Sequence, residues 1–400
     1  LTAFIHHITA NDSYILSQLD LTYHADRHAK WLCNDDNYVK NNHGVMMDLS
    51  LFQFALLIKN IDEEKFAFYS KLAARRLNMM FKETFDVHGC CKENSPTYHF
   101  VNYSLFSSIS SLFHEYGVSE ELDGWSDILD KAKKVGSLFI RSDGTIPLIG
   151  DSEIKPGTFF PNTDQQQKSG VGYYPESGFF IFSKPDVQLT MRAGGSSYSH
   201  RHIDDLSITL WVNGKEFIVD GGLYNYDIGD KLRRRFISTR SHSGLYLESQ
   251  GKVLFKNFSS PEDMSWFLDF KHDDDNLYIK GAHRLSPDVD VVRSLDVADG
   301  QVRINDSFIC KKIQAWRYQL VLHPDVSVEF ESTNCVRLSN GTSEIKWFFE
   351  SLPSNNKVQL NFEVGYYSPS FMKKEECKVL VLSGSSSSLE LVSGFILTNG

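Results

Sequence analysis

Leu206-Ser207-Ile208-Thr209-Leu210-Trp211-Val212-Asn213-Gly214-Lys215-Glu216-Phe217-Ile218-Val219 reads as two short strands joined by a tight turn. Leu206, Ile208, Leu210 and Val212 recur at every second position, the period of a strand that turns one face to a core. Asn-Gly between alternating runs is a strong hairpin signal, because the favoured two-residue turn needs positive φ at both central positions. Asp299-Gly300 and Asn340-Gly341 repeat that signal downstream, and Val187, Leu189 and Met191 alternate upstream. Many strands joined by hairpins predict antiparallel sheets stacked as a sandwich.

Toward the N-terminus the period lengthens to that of a helix. Val45, Leu49, Phe52 and Leu56 fall on one face. Phe66, Tyr69, Ala73 and Leu77 form a second stripe behind an N-cap at Asp62. Val101, Leu105, Ile109, Leu112 and Tyr116 form a third that Gly117 stops, and Trp125, Ile128, Ala132, Val135 and Phe139 form a fourth. Short connections between them predict helical hairpins packed side by side. Both periods fail across residues 156–172, a stretch with Pro156, Pro161, Asn162 and a glutamine run. The expected organisation is α+β and multidomain, with a helical domain over 1–160 and an antiparallel β-sandwich over 161–400.

A chain of 400 residues supports two cores. A net charge of -10 argues against general nucleic-acid binding, and no run approaches the roughly 20 apolar residues of a membrane helix. An acidic substrate stays compatible with that charge, because a local basic cleft can sit on an acidic surface. Cys33, Cys90, Cys91, Cys310, Cys335 and Cys377 show no zinc-type pairing and read as small apolar residues. The chain begins at Leu1 without a leader pattern, and we read it as a mature or shortened form. The compartment stays open, with a periplasmic or secreted setting favoured.

The chemistry-bearing residues concentrate between Ser199 and Ser243. His202 precedes the hairpin, Asp220 ends its return strand and His242 follows the next loop. Such a layout can gather two imidazoles and a carboxylate around zinc or a similar divalent ion; it also fits three separately hydrogen-bonded residues. His200, two positions before His202, would be held nearby and left free for proton transfer. Arg233, Arg234, Arg235 and Arg240 crowd the same region, and arginine suits bidentate capture of carboxylate or sulfate. In the helical half, Asn41-Asn42-His43-Gly44 opens one helix and Ser95-Pro96-Thr97-Tyr98-His99 opens another.

Together these segments, with Asp143-Gly144-Thr145-Ile146-Pro147, Gly150-Asp151, His200-x-His202-x-x-Asp205, Asp220-Gly221-Gly222 and Ser238-Thr239-Arg240-Ser241-His242, resemble the heparinase II/III-like polysaccharide lyases. The likeness runs in order over roughly residues 40 to 245. It implies an incomplete (α/α) toroid followed by antiparallel β-sheets, and a toroid this short implies a missing N-terminal segment. It implies that Asn42, His43, Tyr98 and His200 carry the catalysis and that His202, Asp220 and His242 hold a structural metal, usually Zn2+. Tyr226, Arg234, Arg240 and His99 are the candidates for contacts with an acidic polysaccharide or oligosaccharide. One departure is Ser243, where the family often has asparagine.

The reaction so implied is β-elimination at a uronic acid, leaving a C4–C5 unsaturated end. It needs a donor such as Asn42, helped by His43, to stabilise the developing enolate. It needs a base for the C5 proton, from Tyr98 or His200, and an acid for the leaving oxygen. For Tyr98 to act as base, neighbouring cations must lower its pKa from about 10. Two alternatives compete: a glycoside hydrolase using two of Asp151, Asp204 and Asp205 across a cleft, and a non-catalytic module that binds acidic glycans.

Overall fold

The computed structural model describes residues 18–154, 167–248, 260–273, 276–286, 289–350 and 358–397. Much of the expected interdomain stretch, including Pro156, Pro161, Asn162 and Gln165, lies outside the described residues. Five of the described helices come first: α1 (Gln18–Cys33), α2 (Asn42–Ile58), α3 (Glu63–Thr84), α4 (Pro96–Glu115) and α5 (Trp125–Phe139); a short sixth, α6 (Lys231–Phe236), lies among the strands. Strands then dominate, so the chain is α+β, a helical region followed by antiparallel sheets. None of the described helices is long and apolar enough to cross a membrane.

The helix starts follow local chemistry. Asn41 caps α2 by accepting from the His43 N–H at 2.8 Å, and Asp62 caps α3 by accepting from the Lys65 N–H at 3.0 Å. Each cap is worth about 1 kcal/mol. Beyond α4, Gly117 takes φ 68°, a left-handed conformation that suits glycine.

Two compact units divide the chain: Leu1–Val87 with Asn102–Asp130, and His88–Val101 with Lys131–Gly400. The first is helical. Aromatic rings tie it together, with Phe52 stacked on Phe113 at 3.8 Å, Phe81 stacked on Trp125 at 4.2 Å, and Phe106 edge-on to Phe81 at 5.3 Å.

The second unit holds both sheets. β1 (Gly170–Tyr174), β2 (Phe179–Ser183), β3 (Val187–Arg192), β4 (Ile208–Val212) and β5 (Lys215–Ile218) form a five-stranded antiparallel sheet in sequence order. The other sheet has ten strands, β6 (Leu245–Leu247) to β15 (Glu375–Leu397), built around the long pair β10 (Gln301–Val321) and β15. Phe180, Leu189, Leu210 and Phe217 of the small sheet share one buried cluster with Val291, Ile304, Trp316 and Leu382 of the large one, which makes the pair a sandwich. The turn residues Asn213 and Gly214 take φ 49° and 80°, as the hairpin requires, and Asp299 and Gly300 take 48° and 69°. In the third hairpin Asn340 pairs with Ser343, so the turn is Gly341-Thr342, one residue later than the Asn-Gly signal.

Period-two alternation ordinarily leaves one face of a strand to solvent, yet every residue of β4 is buried. The other face of the small sheet is covered too. Phe179 and Ile181 pack with Phe100, Val135, Leu138 and Phe139, and Trp211 donates to Asp143 at 3.2 Å. This packing fixes the first turn of α4, and with it Tyr98, against the sheet whose loops carry the histidines.

Candidate active site

The loop between β3 and β4 carries His200 and His202, and hydrogen bonds tie it to the start of α4. Asn94 donates to the carbonyls of Ser197 at 2.7 Å and Ser199 at 3.0 Å, and accepts from buried Arg192 at 2.7 Å. The Ser95 hydroxyl donates to the Asp151 carbonyl at 3.0 Å. Gly150 turns there with φ 57°, and a Cβ at that position would lie 2.4 Å from the Asn94 carbonyl oxygen and 2.7 Å from that of His200. Only glycine permits so close an approach.

These ties bring Tyr98 and His200 together. Their rings stack with centroids 3.3 Å apart and planes 14° from parallel. The Tyr226 hydroxyl lies 2.9 Å from that of Tyr98, and the Tyr226 ring is 53% exposed. His200 has φ 56°, a left-handed conformation that costs a non-glycine residue of order 1 kcal/mol. Its Nδ1 lies 3.2 Å from Asp151 Oδ2, and its Nε2 lies 3.9 Å from Glu93 Oε2. Tyr98, His200 and Tyr226 therefore form one cluster with Asp151 and Glu93 beside it.

The electrostatics of Tyr98 run against the expectation that cations lower its pKa. Burial pushes the hydroxyl up, and the hydrogen bond with Tyr226 and the carboxylates of Asp151 and Glu93 push it further. Arg233 is already engaged nearby, gripping Asp151 in a bidentate pair at 2.5 and 3.0 Å. Burial opposes ionisation of Asp151, but the bonds from His200, His202 and Arg233 prevail and hold its carboxyl well below the usual range. In the sequence Arg233 is one of four arginines suited to bidentate capture of carboxylate or sulfate, with no carboxylate of the chain singled out as its partner. Its role shows once the fold brings it to a carboxylate 82 positions away.

Asn42 and His43 belong to the other compact unit, where they form the first turn of α2; Asn42 is half-buried and His43 exposed. Arg234 and Arg240 are exposed. Arg234 donates to the Ile228 carbonyl at 3.1 Å, and Arg240 lies 3.7 Å from Glu363. His99 departs from its expected contact with substrate. It is 1% exposed, with Nε2 2.9 Å from the Ala132 carbonyl and Nδ1 accepting from the Cys91 N–H at 3.3 Å. Burial lowers its pKa to about 4, so it stays neutral and knits the chain.

His202, Asp220 and His242 are all buried, at 0%, 1% and 0% exposure. The loops that hold them are cross-braced. Ser207 donates to Asp220 Oδ1 at 2.7 Å and accepts from the Ser243 N–H at 2.8 Å. Arg293, paired with Asp306, donates to the carbonyls of Leu206 and Ser243. Ser243 also accepts from the Val321 N–H at 2.9 Å, so the small side chain that departs from the family pattern anchors backbone. His242 Nδ1 lies 3.1 Å from Asp220 Oδ1 but without hydrogen-bond geometry.

Several atoms of this set fit a cation. His202 Nδ1, Asp220 Oδ2 and His242 Nε2 have no hydrogen-bond partner, a costly state for buried polar atoms that a metal would relieve. The rings of His202 and His242 are 5.3 Å apart, close to the ~5 Å between two imidazoles on one tetrahedral zinc. Among the described residues, however, no group of three His, Cys, Asp or Glu side chains is arranged to hold a metal ion. Asp204, which sequence reading considered only as a hydrolase acid, belongs to the same neighbourhood. It is 1% exposed, neither carboxylate oxygen has a hydrogen-bond partner, and Arg192 Nε is 3.7 Å away. Burial raises its pKa to about 6 against the pull of Arg192. Its neighbour Asp205 is taken up by Arg201 at 2.6 Å and by the Ser265 hydroxyl.

A groove of about 1110 Å³, lined by Arg284, Phe308 and Leu389 among others, lies on the ten-stranded sheet and holds none of these residues.

Comparison with known proteins agrees with the fold. The family described as Heparinase II/III-like, C-terminal, matches residues 166–392, more than half of the chain and the part that carries His200, His202, Asp220, Tyr226 and His242. A mutant of heparan sulfate lyase HepC from Pedobacter heparinus superposes with a TM-score of 0.79 at 18% identity, covering 93% of this chain and 62% of that one. The HepC structure without that designation gives 0.78 at 17% identity with the same coverage. A structure of heparinase III gives 0.78 at 14% identity, covering 95% of this chain and 64% of that one. At these identities the likeness establishes the fold, and this chain spans under two thirds of the length of those it matches. No curated protein matches the chain.

Proposed function

This chain belongs to the heparinase II/III-like family, and on that premise we propose that it is a polysaccharide lyase that cleaves a uronic-acid-containing polysaccharide by β-elimination. The observation that carries the reading is the stacked Tyr98–His200 pair with the Tyr226 hydroxyl on Tyr98. It puts a hydroxyl that keeps its proton against an imidazole held by a carboxylate. The names of the similar structures, heparan sulfate lyase and heparinase III, support a glycosaminoglycan among the substrates to try first.

In the proposed reaction His200 Nε2 takes the C5 proton of the uronate. The C5–H electrons form the C4–C5 double bond as the C4–O bond breaks, and the leaving oxygen takes the Tyr98 hydroxyl proton. The imidazolium and phenolate so formed return to their starting states by exchanging a proton through solvent. The raised Tyr98 pKa favours this division, since a phenol that resists ionisation is a poor base and stays protonated until a basic oxygen develops beside it. Asn42 and His43 are assigned neutralisation of the substrate carboxylate, an assignment that rests on the family motif. Arg234 and Arg240 are assigned contacts with substrate anions.

His202, Asp220 and His242 would hold a divalent cation, zinc by donor type. Bound there, it would supply a cross-link among the loops before β4, after β5 and before β6. A hydrolase gains little support, because Asp151, Asp204 and Asp205 are all buried.

The test is incubation with a panel of uronate polysaccharides while following ultraviolet absorbance of the unsaturated product. Absorbance should rise with at least one polymer and stay flat with Tyr98→Phe. New reducing ends without absorbance would establish a hydrolase instead, and tight binding without either would establish a binding module.

A further inference from the structure

Asp151 is 2% exposed and has both carboxylate oxygens fully engaged. Oδ1 lies 2.9 Å from His202 Nε2 and 2.5 Å from Arg233 Nη1. Oδ2 lies 3.2 Å from His200 Nδ1 and 3.0 Å from Arg233 Nη2. The backbone repeats the tie, since the Asp151 N–H donates to the His200 carbonyl at 3.1 Å. Gly150 permits it, because a side chain there would collide with that same carbonyl.

A carboxylate gripped bidentately by arginine is ionised and can only accept hydrogen bonds. The protons in both histidine contacts must therefore sit on the histidines: on Nε2 of His202 and on Nδ1 of His200. Arg233 Nη1 also lies 3.4 Å from His202 Nε2 and could only donate there, which would need a lone pair on Nε2; the shorter 2.9 Å contact between Nε2 and the Asp151 carboxylate decides the tautomer. Two histidines two positions apart are thus held in opposite tautomers by one side chain. In neutral His202 the lone pair is on Nδ1, the buried atom that has no hydrogen-bond partner. In neutral His200 it is on Nε2, across the ring from Asp151.

We propose that Asp151 is a positioning residue that fixes His200 and His202 in opposite tautomers, presenting Nε2 of one to proton transfer and Nδ1 of the other to a divalent cation. The roles of the two presented atoms rest on the function proposed above; the tautomers themselves do not. Histidine ligands and bases elsewhere are oriented through the nitrogen they do not use. Here one carboxylate does this for both, so cation binding and proton transfer share a support.

The tautomers are read directly by two-dimensional 15N–1H NMR of the protein labelled at histidine nitrogens. Spectra would be recorded at about pH 8, above the ordinary histidine pKa of ~6.5, with resonances assigned by single substitution. The expected pattern is Nδ1–H for His200 and Nε2–H for His202. Asp151→Asn offers one acceptor and one donor, so at least one of the two must change tautomer. Its zinc affinity should fall about 10- to 100-fold, and Asp151→Glu should recover part of the loss. With a polymer that turns over, kcat should fall at nearly unchanged KM. The same tautomer for both histidines in the unsubstituted protein would overturn the proposal even if Asp151→Asn does not fold. So would an Asp151→Asn protein with both tautomers unchanged. Failure to cleave any polysaccharide would sink the lyase reading and leave the tautomer result standing.

Discussion

Tyr98 keeps its proton at neutral pH because burial, the Tyr226 hydroxyl and two nearby carboxylates all disfavour the phenolate. Tyr226, in contact with that hydroxyl yet half exposed, was expected to touch substrate; its position equally suits supporting the acid. Steady-state kinetics of Tyr226→Phe separates the two. Loss of a supporting hydrogen bond should lower kcat about tenfold with little change in KM, whereas a rise in KM alone would make it a binding residue. His99 makes a prediction about stability. Burial depresses its folded pKa to about 4 from the ordinary ~6.5. Above pH ~6.5 neither folded nor unfolded chain protonates it. As pH falls from ~6.5 toward 4 the unfolded chain takes a proton that the folded chain refuses, so stability drops by up to about 3 kcal/mol. Urea unfolding across that window should show a shallower loss for His99→Gln than for the unsubstituted protein; equal slopes would remove His99 as the cause. Nothing in Tyr98-His99 told the two apart. Neighbours on a helix diverge by 100°, and only the packed structure decides which one faces inward.

At the level of elements, the hairpins were legible and the braces between loops were not. Asn213-Gly214 and Asp299-Gly300 announce themselves because left-handed turn positions admit few residues. Asp62 and Asn41 announce helix starts for a comparable local reason. His202, Asp220 and His242 were findable from resemblance, but the residues that support them come from distant segments. Arg233 reaches back to Asp151, Arg293 to the carbonyls of Leu206 and Ser243, and Ser243 to β10. No local pattern encodes such pairs. Gly150 tests the bracing, since it joins Asn94, Asp151 and His200 at one crossing point. Gly150→Ala should cost at least 2 kcal/mol in unfolding free energy, roughly the sum of backbone strain and steric overlap, and should lower turnover by separating His200 from Tyr98. A variant as stable and active as the parent would show that the loops do not need so close an approach.

For the whole molecule, the part that matches the family is the sandwich, while the helical region contributes to both compact units. Asn42 and His43 fall in one unit, and Tyr98, His200, His202, Asp220 and His242 fall in the other. A cation bound by His202, Asp220 and His242 would stabilise the unit that holds it, by an amount that grows with cation concentration. The two units can be followed separately. The first is built of helices, so helical circular dichroism weights it heavily. Trp211, Trp266, Trp316 and Trp347 lie in the second, against Trp31 and Trp125 in the first, so tryptophan fluorescence weights the second. A chelator should lower the fluorescence midpoint of thermal unfolding by more than the helical midpoint, and added zinc should restore it. His242→Ala should show the lowered fluorescence midpoint without chelator and should not respond to zinc. Equal displacement of both midpoints would mean that the units unfold as one cooperative body. Midpoints indifferent to chelator and zinc alike would remove the cation from the stability of this fold, leaving His202, Asp220 and His242 as a buried polar cluster held by its braces alone.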